Sequence, residues 1–194
     1  KIGVSQSSVY KITYNDLVNY GIDVAAIDPR NIRIYGNGGG MLPEDNFKPR
    51  ADDLEENAIY VYGESDGVFD ASDYILFYGE SPVKWKYSST DQLYHHEQNI
   101  YTNTTNYFLI CDLGSGKRIA SQPSSVQPAN TYITKFDDFA VHEQDLVNLI
   151  KSGKEWYGEN FDILTSYSFD NYYPNIDLPS GIAVRTDIAG RYPA

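Results

Sequence analysis

A mainly β fold, an antiparallel β-sandwich or barrel-like domain with one or two short helices, is what the sequence predicts, and three observations predict it. Short runs of alternating β-branched and aromatic residues end repeatedly in Tyr-Gly. Glycine, asparagine and aspartate separate these runs at turn-like intervals, and segments with helical periodicity are few. Strands at this density, divided by turn residues, build sandwiches and barrel-like sheets.

The elements follow in order along the chain. Val9-Tyr10-Lys11-Ile12-Thr13 reads as the first strand. Asn15 is placed to cap a short helix through Asp16-Leu17-Val18-Asn19-Tyr20, and Gly21 closes it, because a residue without Cβ takes a left-handed conformation cheaply. The Tyr-Gly strands are Ile32-Arg33-Ile34-Tyr35-Gly36, Ile59-Tyr60-Val61-Tyr62-Gly63 and Ile75-Leu76-Phe77-Tyr78-Gly79. Asn106-Tyr107-Phe108-Leu109-Ile110-Cys111 reads as a further strand, and Thr131-Tyr132-Ile133-Thr134-Lys135-Phe136 is another candidate. A second helix is predicted over residues 142–151, where Leu146, Leu149 and Ile150 share one face and Gly153 follows as a stop. SQPSSVQPAN, residues 121–130, carries neither period and reads as a connection. Residues 180–186 form a plausible strand, yet one strand cannot bury a face alone. The expected organisation is therefore an N-terminal β-rich accessory domain over residues 1–160 and the truncated start of a following β-module over 161–194. The opening Lys1-Ile2-Gly3-Val4 lacks a long apolar stretch and begins close to a strand, as expected of a piece of a longer mature protein.

Composition narrows the function classes. At 194 residues and 41% hydrophobic content the chain can bury a core. A net charge of −12 repels phosphate backbones and anionic lipid surfaces, so nucleic acid is excluded as a partner and cations are favoured. No apolar run approaches the ~20 residues that span a bilayer, so no direct membrane insertion is expected. The single cysteine, Cys111, makes an internal disulfide impossible.

Chemistry-bearing residues concentrate in ESDGVFDASD, residues 64–73. With Gly67 at the sixth position of an EF-hand-type register, Glu64, Asp66, Asp70 and Asp73 fall on ligand positions and Val68 offers its carbonyl. The first ligand position falls on Tyr62, and strands, not helices, flank the loop. Two readings stay open: a calcium site at Glu64, Asp66, Asp70 and Asp73, or a turn at Asp66-Gly67 in which Asp70 and Asp73 cap backbone amides. Catalytic use of paired carboxylates needs a cleft that nothing in the sequence indicates.

Other motifs point away from catalysis. Gly36-Asn37-Gly38-Gly39-Gly40 places Met41 where a dinucleotide loop needs its last glycine, so a close backbone approach is the better reading. Cys111 sits in an apolar strand without a marked base, which suits a buried structural thiol. His95-His96 is expected in a loop, because neighbours on a strand point to opposite faces. Eighteen tyrosines with Trp85 and Trp156 suit sheet surfaces and also the stacking platforms of a sugar-binding module.

The order of motifs then carries a resemblance. YKITYNDL at residues 10–17, NIRIYGNGG at 31–39, DLEENAI at 53–59, DGVFDASDYILFYG at 66–79, NYFL at 106–109 and SGKEWYGE at 152–159 succeed one another. This succession resembles the N-terminal, non-catalytic region of type IX secretion system sortases of Bacteroidota, which belong to the gingipain-like cysteine peptidases, and it covers residues 9–161. The resemblance implies a parent at the outer-membrane surface that removes C-terminal sorting domains from secreted cargo and helps couple that cargo to an anionic lipopolysaccharide. It also implies that the cysteine–histidine pair lies in a caspase-like domain downstream in the same polypeptide, so no catalytic residue is carried onto this chain. The expected partners are that downstream protease domain, secreted cargo proteins and other secretion components, in the cell envelope or outside the cell. No cofactor is required on this reading. The alternative is a secreted, calcium-stabilised binding module, with carbohydrate as its ligand.

Overall fold

Residues 1–151, 153 and 155–190 are described by the structure, a computed structural model. Ser152 and Lys154, both in the SGKEWYGE motif, and residues 191–194 lie outside the described residues. The chain divides into two compact units, Lys1–Pro128 and Ala129–Ala194, within the Ser/Pro/Gln-rich connection.

In the first unit, alternation sets the sheets. Strand β1 (Ile2–Val4) pairs antiparallel with β9 (Thr105–Ile110), β9 with β3 (Arg33–Tyr35), and β3 with β4 (Glu56–Asn57). A second antiparallel sheet runs β2 (Ser8–Thr13), β6 (Tyr74–Gly79), β5 (Tyr60–Tyr62). In β6 the even spacing buries Ile75, Phe77 and Gly79 while Tyr74, Leu76 and Tyr78 face out. The inner faces share one core: Val4, Ile34 and Tyr107 from the first sheet, and Ile12, Val61, Ile75 and Phe77 from the second. Phe77 meets Tyr107 edge-on at 5.4 Å across that core. The arrangement is a mainly β, open two-sheet packing, and the sheets do not close into a barrel among the described residues.

Helix α1 (Tyr14–Asn19) starts earlier than Asn15 would dictate. Thr13 is the cap: its Oγ1 accepts from the Asp16 amide at 3.2 Å, and Asp16 Oδ2 accepts from the Thr13 amide at 2.8 Å. This reciprocal pair satisfies two amides that a helix start would otherwise leave open. Gly21 follows in the left-handed region, as expected.

Two further strands carry no β-branched signal. The hairpin β7 (Lys84–Ser88) and β8 (Leu93–Glu97) pairs Trp85 with His96 and Tyr87 with Tyr94. His95 and His96 are thus strand residues and not a loop pair; their neighbouring rings and charges supply the cross-strand pairing. Cys111 lies just past the end of β9 and is only half-buried against the core, not enclosed within the strand.

The second unit is irregular. Residues 142–151 form no helix: Val147 instead makes an antiparallel bridge with Tyr157, whose amide donates to the Val147 carbonyl at 2.8 Å. A ten-residue helix needs tertiary packing to persist, and Leu146 and Ile150 remain exposed. Residues 131–136 and 180–186 form no strand among the described residues; Tyr132, Ile133, Ile182 and Val184 are exposed and have no sheet to join. Among its described residues the regular element is a 3-10 turn at Leu178–Ser180. Its ring contacts include His142 on Phe169 at 4.1 Å and Phe161 on Tyr167 at 5.1 Å. Residue 161, where a following module was expected to start, lies inside this unit.

Candidate functional site: the acidic loop and the glycine-rich recess

Between β5 and β6 the chain makes a long connection in place of a two-residue turn. Gly63 opens it with φ of +89°, and a Cβ there would run into the Asp73 carboxylate. A 3-10 turn, Glu64–Asp66, follows, and Gly67 ends it with φ of +82°. Phe69 is buried and stacks on Tyr14 at 6.4 Å, so the loop is pinned to the core at its middle.

The four carboxylates serve different partners. Glu64 Oε2 accepts from Arg118 Nε at 2.7 Å. Asp66 Oδ1 accepts from the Val68 amide at 3.0 Å. Asp73 is buried, and its Oδ2 accepts from the Asp70 amide at 2.9 Å while its own amide donates to the Asp70 carbonyl. Asp70 contributes its main chain and leaves its side chain in solvent. Of the expected amide-capping pair, Asp73 caps, and Asp66 does so in place of Asp70. Among the described residues, no group of three or more His, Cys, Asp and Glu side chains is placed to hold a metal ion.

The electrostatics of the loop involve two arginines. Arg118 also donates to the carbonyls of Ile32, Pro29 and Arg30 at 3.0, 2.9 and 2.9 Å. Arg30 is held above its usual pKa, first by its bond to Asp28 and more weakly by the negative field of Asp66 and Glu64. The same bond holds Asp28 below its usual value.

At the other end of β6, the glycine-rich segment approaches backbone closely, as expected. A Cβ on Gly39 would fall inside the Ser81 carbonyl. Gly36, Asn37, Asn57, Glu80 and Tyr107 line a polar recess of roughly 210 Å³, below the ~300 Å³ at which small-molecule sites begin. The recess is braced internally. Asn37 donates to the Asp53 carbonyl at 2.9 Å and accepts from the Glu55 amide at 2.8 Å, and Asn57 donates to the Gly36 carbonyl at 2.8 Å. Tyr107 Oη accepts from the Glu80 amide at 2.8 Å, and burial pushes this phenol above its usual pKa. Glu80 also pairs with Lys84.

Among the described residues, neither His95 nor His142 is paired with the Cys111 thiol. His95 is bonded to Asp91 at 2.6 Å and His142 to Glu159 at 2.7 Å, and no hydrogen bond joins either to Cys111 among the described residues. What the geometry defines is a two-sheet antiparallel β-module whose polar clusters satisfy one another.

No family model and no curated protein matches the chain. Among solved structures, the chain is similar to the crystal structure of dimeric latent PorU from Porphyromonas gingivalis, with 30% identity and a TM-score of 0.61. The match covers 82% of this chain and 14% of that one, so the likeness is to a short part of a much longer protein. The chain is thus similar to a PorU region, a likeness carried by the solved structure alone.

Proposed function

We propose that the chain is a non-catalytic, β-rich accessory region of a PorU-like sortase of the gingipain-like cysteine peptidases. The PorU likeness at 30% identity over 82% of the chain carries this reading. The disposition of Cys111, half-buried and without a bonded histidine, supports a silent role. In this role the module scaffolds or regulates a protease domain in the same polypeptide and helps dock secreted cargo whose C-terminal sorting domain is removed. It works at the outer-membrane surface or outside the cell, held by the rest of its polypeptide; no helix among the described residues is long and apolar enough to cross a membrane.

The test is hydrolysis. The purified 194-residue chain, offered peptides spanning the junction between cargo and sorting domain, should release no product. Turnover that disappears in Cys111→Ala would overturn the proposal.

A further inference from the structure

We propose that Asn37 is a site of spontaneous deamidation, and that the two hydrogen bonds clasping its side chain to residues 53–55 set the rate. Asn37-Gly38 is the one Asn-Gly pair in the sequence. Asparagine before glycine is chemically labile, because no Cβ shields the following amide nitrogen. That nitrogen attacks Asn37 Cγ: the N–Cγ bond forms, the Cγ–Nδ2 bond breaks, and ammonia leaves with the Gly38 amide proton. Water then opens the succinimide, at Cγ to give aspartate or at the main-chain carbonyl to give isoaspartate.

The fold requires both residues of the pair. Gly38 has a φ of +76°, and a Cβ on it would meet the Glu80 carboxylate. Asn37 donates to the Asp53 carbonyl at 2.9 Å and accepts from the Glu55 amide at 2.8 Å. Those two roles need a side-chain amide, since an ionised aspartate has no donor. The same two bonds hold the pair inert. Attack needs Cγ to turn toward the Gly38 nitrogen, and that rotation breaks both. Asn37 is exposed, so water is at hand whenever the clasp opens. Either product ends the clasp for good. Aspartate turns a carboxylate oxygen toward the Asp53 carbonyl, and isoaspartate lengthens the main chain just beyond β3. The segment between residues 38 and 53, with its exposed Arg50, then loses an anchor beside β4. This inference rests on the clasp and does not need the PorU likeness.

Incubating the full chain and a peptide of residues 33–41 at neutral pH tests it, with modification at Asn37 followed by mass spectrometry and isoaspartyl methyltransferase labelling. Asn37 should deamidate about tenfold or more slowly in the folded chain than in the peptide. Asn57→Ala removes the bond to the Gly36 carbonyl beside the clasp and should raise the rate in the chain. Equal rates in chain and peptide, a rate that Asn57→Ala leaves unchanged, or no modification of Asn37 in either would each overturn the proposal. Should that variant fail to fold, urea below the unfolding transition of the unaltered chain decides: the rate at Asn37 must climb with urea, and a flat rate refutes it. Trypsin should also cut the deamidated chain at Arg50 sooner than the intact one, and equal cutting would show that the clasp anchors nothing.

Discussion

Arg118 Nε lies 2.7 Å from Glu64 Oε2, joining the acidic loop to a residue far along the chain. The same guanidinium reaches the carbonyls of Pro29, Arg30 and Ile32, so one side chain ties the loop to the turn that precedes β3. Both partners are partly solvated, with 22% and 28% of their side-chain surfaces exposed, which places the value of the pair in its several bonds more than in its charge.

Arg118→Met should therefore lower unfolding stability by about 1–3 kcal/mol, since it leaves Glu64 and the Ile32 carbonyl without the guanidinium, while the Pro29 and Arg30 carbonyls keep the Ile32 and Gly116 amides. Glu64→Gln keeps an acceptor for Arg118 and should cost under ~1 kcal/mol. Urea unfolding of the chain measures both, and equal costs would show that charge, not bond count, sets the effect.

Gly39→Ala should destabilise by about 1–3 kcal/mol, because the added methyl group meets the Ser81 backbone, which has no flexible end to give. Gly21→Ala is the comparison: its φ is +76° but nothing lies near the added group, so only the conformational cost of about 1 kcal/mol remains. The same urea unfolding ranks the two.

Asp16 sets an acid dependence. The hydroxyl of Thr13 first, and its amide second, hold the Asp16 carboxyl below its ordinary value of 3.8. The folded value lies below the unfolded one, so this stabilisation is complete above the unfolded value and disappears as pH falls through the folded value. Asp16→Asn should flatten stability against pH below pH 3.8, whereas Thr13→Ala should cost about 1 kcal/mol at neutral pH through loss of the cap. Unfolding measured from pH 2 to pH 7 separates them.

Calcium would have to draw Glu64 from Arg118 and take Asp66 and Asp73 from the amides they cap. Millimolar calcium should then leave the melting temperature of the chain unchanged relative to EDTA. A rise of several degrees that vanishes in Asp70→Asn would show that the loop rearranges around a cation.

The sequence made β2, β3, β5, β6 and β9 legible because each alternates clearly, and most end in glycine. Strand β1 is three residues long and exists through its register with Tyr107, Asn106 and Thr105, which no local pattern announces. The β7–β8 hairpin was hidden because Lys84, Lys86, His95 and Glu97 dilute its β signal, and pairing across the turn replaces propensity. Residues 142–151 show the opposite error: Leu146, Leu149 and Ile150 have helical spacing, but that stripe has no core to enter, and Val147 finds Tyr157 instead. At the acidic loop the carboxylates were plain in the sequence. Their partners were not, since Arg118 is remote and Asp73 is directed by the left-handed Gly63.

The proposed role has this PorU-like region support a protease without performing its chemistry. The direct measurement is cleavage of a sorting domain from its cargo by the complete polypeptide that contains this chain, compared with the same polypeptide carrying Cys111→Ala. Equal turnover is expected. Loss of turnover in Cys111→Ala, with the melting temperature unchanged, would contradict it.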